Sequence, residues 1–231
     1  MMYTSPEQDI VTCRIPQFSL KNVDMIYYIN LDHRPERKLH ILRQLQQLGI
    51  PQEKISRISA THLPMNPQVG CAISHLEALQ RAYQMEYETI LILEDDFTFE
   101  VERPTLDMLL DQLWYKHPNW QVFQLSAVHQ STHPILEYPQ KGAHQLERVQ
   151  KADTTSAYFI KREAIKLLYP YFQQCVKIQN RRYPIDVLWN TLQPKIPWFI
   201  SNPHLGHQSE QFPSDIDGYR TTGVPSNSSY N

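Results

Sequence analysis

Residues 89–96 read Thr89-Ile90-Leu91-Ile92-Leu93-Glu94-Asp95-Asp96, a run of β-forming aliphatic residues that ends in three carboxylates. Because the aliphatic residues are consecutive rather than alternating, the run is typical of a strand covered on both faces at the centre of a mostly parallel sheet. Ligands of open α/β sheets bind beside the carboxyl ends of such strands. This segment therefore predicts the core of the sheet and a ligand site at its edge.

Strands and helices are predicted to alternate on both sides of this segment. Upstream, the apolar run 25–31 predicts a strand, and the leucine spacing between Pro35 and Gly49 predicts a helix. Further helices are predicted over 72–85, 105–116 and 162–172 and after Asp186, and further strands at 120–125, 156–160 and 198–200. The polar stretch 126–151 is expected to form loops. The alternation predicts a single-domain α/β sandwich of Rossmann type.

The glycines and the charge balance exclude two classes of ligand site. The six glycines are scattered, so the chain contains neither a dinucleotide-binding motif nor a P-loop motif. The formal net charge is −2, from 22 basic and 24 acidic residues, which gives no sign of a nucleic-acid partner. If a nucleotide binds, its phosphates must be held by something other than a glycine-rich loop.

The apolar segments and the cysteines indicate where the protein works. No segment approaches the ~20 apolar residues of a membrane span, and the polar N-terminus has no export signal. Cys13, Cys71 and Cys175 form no C-x-x-C pair, which fits a reducing compartment. We therefore expect a cytoplasmic protein without a transmembrane segment, able to visit a membrane surface as a peripheral protein.

The three carboxylates after the central strand are candidate metal ligands. Their like charges repel at the strand exit, and a divalent cation relieves that cost. Oxygen ligands suit Mg²⁺ or Mn²⁺, and the alternate residues Glu94 and Asp96 can project toward one ion. A solvated acidic turn is the alternative interpretation.

Histidines supply further candidate ligands. His204 and His207 follow the last apolar run, and we predict His207 as the third metal ligand, while His75 on the second helix is expected to face the cleft. A lone histidine is, however, more often a core or surface residue than a ligand.

Two arginines follow the first strand. Arg34 and Arg37 are three residues apart, so on a helix they are neighbours and can face the strand ends where a diphosphate would lie. A solvated helix face on which these arginines pair with Glu36 is the alternative.

Three motifs in this order resemble glycosyltransferase family 25, which includes lipooligosaccharide galactosyl- and glucosyltransferases and collagen hydroxylysine galactosyltransferases. Residues 28–37 (YINLDHRPER) resemble its INL-x-x-R-x-x-R opening, 70–75 (GCAISH) its GC-x-x-SH element, and 91–96 (LILEDD) its LEDD strand end. In the second half, residues 154–160 (TTSAYFI), 184–186 (PID) and 214–216 (SDI) are similar to the family's T-x-AY-x-I, P-x-D and SDI elements. No match is found between 126 and 151.

The resemblance implies a GT-A-like domain over residues 23–217, between an N-terminal extension (1–22) and a polar C-terminal tail (218–231). It also implies an inverting hexosyltransferase of the kind found in lipopolysaccharide biosynthesis, which moves galactose or glucose from a UDP-sugar donor. The implied cofactor is Mn²⁺ or Mg²⁺ on Glu94 and Asp96. The implied acceptor is a hydroxyl group of a glycan, a glycolipid such as lipooligosaccharide, or a hydroxylated protein.

Site roles follow from matching these motifs. Asp186 is the predicted general base and Asp215 the second choice, although an aspartate that begins a helix is also a common N-cap. The predicted donor-binding residues are Asn30, Arg34, Arg37, Ser74, His75 and Asp95. Two other classes stay open: a catalytically inactive nucleotide-binding module of the same fold, and a metal-dependent phosphohydrolase or nucleotidyltransferase.

Overall fold

A computed structural model of the chain describes residues 18–134, 144–179 and 184–216. The strands are β1 (Met25–Asn30), β2 (Ile55–Ser59), β3 (Thr89–Glu94), β4 (Phe97–Phe99), β5 (Val122–Gln124), β6 (Val128–Pro134), β7 (Gln145–Asp153), β8 (Ala157–Lys161), β9 (Trp198–Asn202) and β10 (Gly206–Gln208). The helices are α1 (Pro35–Gln47), α2 (Pro67–Gln84), α3 (Arg103–Lys116), α4 (Arg162–Ile178) and α5 (Ile185–Leu188). Almost all of the predicted extension and all of the predicted tail lie outside the described residues.

Eight of these strands form one mixed sheet in the order β2-β1-β3-β8-β5-β9-β7-β6. The pairs β1–β2, β1–β3 and β5–β9 are parallel, whereas β8 and β7 run antiparallel to both of their neighbours. Within the described chain, β8 and β7 therefore oppose the direction that the other strands of this sheet share. The predicted α/β sandwich with a mostly parallel central sheet is confirmed.

The central strand β3 is covered on both faces, as its sequence predicts. Ile90 and Ile92 belong to one buried cluster with residues of α2 and α4, whereas Leu91 and Leu93 belong to the other with residues of α1 and α3. Successive residues of a strand point to opposite faces, so consecutive aliphatic residues fill both cores. This arrangement makes Glu94–Asp96 emerge together at the carboxyl edge of the sheet.

The prediction of loops over 126–151 is wrong, because much of this stretch forms the hairpin strands β6 and β7. These strands have the polar sequences VHQSTHP and QLERVQKAD. β7 joins the sheet by pairing with β9, and β6 pairs with β7. Strands at the edge of a sheet, or next to it, need few apolar residues, so hydrophobic spacing does not reveal them.

Helix α2 begins at Pro67, five residues before the predicted start at Ala72. Its first turn contains Gly70, where a Cβ atom would lie 2.4 Å from the carbonyl oxygen of Thr61. Only glycine permits this close approach of helix and loop. The contact places Cys71 and His75 of α2 beside the end of β3.

The described part of the chain includes no helix with both the length and the apolar character needed to cross a membrane.

Candidate active site at the carboxyl edge of the sheet

Strands β1 and β3 end side by side, and their last residues build one corner of the site. The parallel register pairs Ile29 with Glu94, which brings Asn30 next to Asp95. Asn30 Nδ2 donates to Asp95 Oδ2 at 2.7 Å, and Asn30 Oδ1 accepts from Arg57 Nε at 3.0 Å. Asn30, predicted to bind the donor, is thus buried and holds Asp95 in place.

Arg37 reaches from α1 into the middle of the carboxylates. Its Nη1 atom donates to Asp95 Oδ1 at 3.0 Å and lies 3.3 Å from Asp96 Oδ2. Its Nη2 atom donates to the carbonyl oxygen of Pro213 at 3.0 Å. Burial raises the pKa of Asp95, and the Arg37 charge opposes that shift. Arg37 therefore stabilises the acidic cluster and also binds the segment that precedes Ser214.

The carboxyl group of Asp96 is buried, and its pKa is strongly shifted. Burial, followed by the nearby charge of Glu94, raises its pKa to about 7. Its Oδ1 atom is buried and has no hydrogen-bond partner among the residues that the structure describes. A buried carboxylate oxygen without a partner costs free energy, and a cation beside it removes that cost.

Glu94 lies at the centre of the site and uses both of its carboxylate oxygens. Oε1 accepts from Thr155 Oγ1 at 2.8 Å and lies 3.4 Å from His75 Nε2, while Oε2 accepts from Gln208 Nε2 at 3.3 Å. Burial raises the pKa of Glu94, but the contacts with His75 and Thr155 outweigh it and leave the pKa below its ordinary value.

Gln208, and not His207, faces these carboxylates. Strand β10 pairs with β4, with His207 opposite Thr98. His207 Nδ1 lies 3.1 Å from Glu100 Oε1, where both side chains are about half exposed. The structure therefore does not bring His207, the predicted third metal ligand, to Glu94 and Asp96, because successive strand residues point to opposite faces. No sequence signal distinguished Gln208 from its neighbour.

The two predicted donor-site residues of α2 are fully buried. Ser74 Oγ donates to the carbonyl oxygen of Gly70 at 2.8 Å and accepts from the backbone N–H of Thr61 at 2.9 Å, so it ties the helix to the preceding loop. His75 Nδ1 lies 3.0 Å from the hydroxyl of Tyr158. Both residues contribute to the wall of the cleft, and both have a structural partner there.

Arg34 and Asp215 join the start of α1 to the C-terminal part of the described chain. Arg34 forms ion pairs with Glu36 and with Asp215, and Asp215 Oδ2 also lies 3.6 Å from Arg37 Nη1. The sequence left two alternatives for the arginines: pairing with Glu36, or placement at the strand ends. Both occur, because Arg34 pairs with Glu36 while Arg37 lies at the strand ends. Asp215, the second choice for the base, is engaged by two guanidinium groups.

Asp186 lies in a neighbouring part of the cleft. The N-cap position of α5 is Pro184, and Asp186 Oδ2 accepts instead from the backbone N–H of Thr154 at 3.2 Å. The N-cap interpretation therefore does not hold. Burial has the largest effect on the pKa of Asp186 and raises it. The hydrogen bond from the Thr154 N–H has the next largest effect and lowers it, but the pKa stays above its ordinary value.

The cleft has two compartments that share a wall. Their cavity volumes are about 110 Å³ and 400 Å³. The first contains Asp96 and Arg37, and the second contains Asp186. The residues common to both are Cys71, Glu94, Gln208, Ser214 and Ile216. A ligand in one compartment would therefore meet a ligand in the other beside Glu94.

Comparison with known proteins identifies relatives of this chain. The chain is 30% identical over 102 residues to a "Glycosyltransferase 25 family member" of Aedes aegypti, covering 34% of this chain and 17% of that protein. It is 23% identical over 165 residues to "Procollagen galactosyltransferase 2" of Homo sapiens, covering 60% of this chain and 26% of that protein. The chain thus spans about a quarter or less of the length of these relatives.

A solved glycosyltransferase involved in glycosylation of the major capsid of PBCV-1 superposes with a TM-score of 0.46 at 11% identity, covering 76% of this chain and 81% of that one. Residues 65–189, more than half of the chain, match the family described as "Glycosyltransferase family 25 (LPS biosynthesis protein)". This match includes α2, the Glu94–Asp96 strand end and Asp186. The chain belongs to glycosyltransferase family 25.

Proposed function

We propose that this protein transfers galactose or glucose from a UDP-sugar to an acceptor hydroxyl group, with inversion at the anomeric carbon. The observation that carries the proposal is the pair of compartments that meet at Glu94, with buried carboxylates in one and Asp186 in the other. A donor in one compartment and an acceptor in the other would meet beside Glu94. Family membership supports a glycosyl group as the group that is moved.

The first compartment fits a hard divalent cation such as Mn²⁺ or Mg²⁺. Glu94 and Asp96 would hold the ion, and the unpartnered Asp96 Oδ1 supports this assignment. When bound, the ion neutralises the donor diphosphate and the charge that develops as UDP departs. Arg37 keeps the carboxylates in position, so they need not reorganise when the donor binds.

The second compartment supplies the base. An inverting displacement needs a carboxylate that accepts the hydroxyl proton on the face opposite the leaving group. Asp186 lies in the compartment away from Asp96, and the Thr154 N–H fixes its orientation. Its burial raises its pKa, which makes it a better proton acceptor than an exposed aspartate.

Hydrolysis or nucleotidyl transfer with two metal ions fits less well. Those reactions need further paired carboxylates. Asp95 is the neighbouring candidate, but it accepts hydrogen bonds from Asn30 and Arg37 and is buried. For the acceptor, the proposal names only the class of molecule that carries the hydroxyl group: a glycan, a glycolipid or a protein.

Thermal unfolding with nucleotides tests donor binding. UDP together with Mn²⁺ is expected to raise the melting temperature more than either alone, whereas AMP and CMP with Mn²⁺ have little effect. Loss of the UDP effect in Asp96→Ala, whose carboxylate is gone, would support the assigned site. Unchanged Mn²⁺-dependent UDP affinity in that variant would refute it.

A donor screen tests the chemistry. UDP-galactose, UDP-glucose and UDP-N-acetylhexosamines are incubated with the protein and Mn²⁺, and released UDP is measured. Release from one UDP-hexose supports a transferase. Donor binding without release from any of them would indicate the inactive module instead.

A further inference from the structure

Helix α2 presents a thiol and an imidazole to the end of β3. Cys71 and His75 are four residues apart and so lie on one face of the helix, opposite Glu94. One ligand atom from each of the three residues lies within 4.8 Å of the other two. The sequence resemblance assigned no metal role to Cys71.

His75 is the second, independent feature of this cluster. It is fully buried, its Nδ1 lies 3.0 Å from Tyr158 Oη, and its Nε2 has no hydrogen-bond partner among the described residues. The Nε2 atom lies 3.4 Å from Glu94 Oε1. Two such ligands on one tetrahedral zinc ion are separated by about 3.3 Å, given bonds of ~2.0–2.1 Å. The histidine and the carboxylate therefore already have the required spacing.

The groups behind these ligands are also in place. Metal-binding histidines use their second nitrogen for a hydrogen bond that fixes the ring, and Tyr158 provides that contact to His75. Thr155 donates to the same Glu94 oxygen that faces His75, which fixes the carboxylate. The Cys71 sulfur lies within 4.8 Å of the other two ligand atoms, so it has to approach by at most about 1.2 Å to reach the ~3.6 Å ligand separation of a tetrahedral site.

We propose that Cys71, His75 and Glu94 form a zinc site, which shares Glu94 with the Mn²⁺ or Mg²⁺ site of Glu94 and Asp96. A thiolate, an imidazole and a carboxylate are ligands that select zinc over the harder ions, and the fourth position opens into the cleft. Burial raises the pKa of the Cys71 thiol, so zinc binding must release its proton.

The position predicts that zinc inhibits the protein. Cys71 and Glu94 line both compartments, so an ion between them would obstruct the place where donor and acceptor meet. It would also share Glu94 with the harder ion and repel it. This inhibitory role rests on the proposed function, whereas the existence of the zinc site does not.

Absorption spectroscopy with Co²⁺, a coloured substitute for zinc, tests the site in the metal-free full chain. Wild type is expected to develop a thiolate-to-Co²⁺ band that saturates at one equivalent and is removed by Zn²⁺. Cys71→Ser should lose the band, and His75→Gln should bind Co²⁺ at least about tenfold more weakly. The matched control Cys175→Ser removes the buried thiol of α4, which is not a member of the ligand cluster, and should keep the band. Asp96→Asn should keep it too.

Three outcomes would overturn the zinc site: no saturable band in wild type, a band that persists in Cys71→Ser, or a band that Asp96→Asn abolishes. If Cys71→Ser fails to fold, alkylation of wild type followed by peptide mass analysis decides instead. Zinc must then protect Cys71 from alkylation, and lack of protection refutes the proposal. None of these measurements uses a nucleotide. A protein that binds no UDP can therefore still show the zinc site, and a protein that binds UDP with Mn²⁺ can still lack it.

Discussion

Arg37 Nη1 lies 3.0 Å from Asp95 Oδ1, and both side chains are almost completely buried at the edge of the sheet. The same nitrogen lies 3.3 Å from Asp96 Oδ2. One guanidinium group therefore offsets the repulsion between consecutive carboxylates that the fold places in the interior. This pairing lets the acidic strand end stay assembled before any ligand binds.

Removal of this cation should destabilise the protein severely. Arg37→Ala leaves buried carboxylates without their partner, and we expect a loss of about 3–5 kcal/mol in the free energy of unfolding, measured by chemical denaturation. The control Arg81→Ala breaks a half-exposed pair with Glu77 and should cost under about 1 kcal/mol. Equal losses in the two variants would contradict the supporting role of Arg37.

The stability of the metal-free protein should depend on pH through Asp96. Its pKa is about 7 in the folded protein, above its ordinary value of 3.8, so between pH 4 and 7 the folded state holds a proton that the unfolded state has lost. Stability from this group is therefore present at low pH and falls as the pH rises through that window.

Asp96→Asn cannot ionise and should not show this loss. Relative to wild type, the variant should gain stability between pH 5 and pH 8 in denaturation without metal, yet lose the Mn²⁺-dependent effect of UDP. A difference between the two proteins that stays constant with pH would show that Asp96 titrates normally.

Two adjacent residues of β10 should behave differently in UDP binding. Gln208→Ala removes the amide that contacts Glu94 Oε2, and we expect Mn²⁺-dependent UDP binding to change at least severalfold in calorimetry. His207→Ala changes a side chain that faces Glu100 and should bind UDP as wild type does. The assignment of faces fails if His207→Ala is the more affected variant.

Asp186→Asn should separate binding from chemistry. Asparagine can still accept the Thr154 N–H, so the fold and the Mn²⁺-dependent UDP affinity should be retained, while kcat for the donor found in the screen falls at least ~100-fold. Asp153→Asn removes another carboxylate from the same compartment and serves as the control. A kcat for Asp186→Asn near that of wild type would exclude Asp186 as the base.

Local sequence predicted most of the regular structure where apolar spacing is strong. The run 89–93 indicated a strand with two covered faces, and its residues do divide between the two cores. The polar strands β6 and β7 carry no such spacing, because their positions depend on pairing with β9 and with each other. Hydrophobic periodicity reports burial, and these strands contribute polar residues to the sheet.

The sequence by itself determined which residues gather at the strand end, since Glu94, Asp95 and Asp96 are covalently consecutive after a buried strand. Only the tertiary structure decided what each one contacts. Asp95 contacts Asn30 and Arg37, whereas Glu94 lines the cleft. The carboxylates differ because the register of β1 on β3 and the packing of α1 and α2 place different partners around each of them. For the same reason Gln208 rather than His207 reaches the site: strand pairing, which acts between distant residues, sets the face that each side chain occupies.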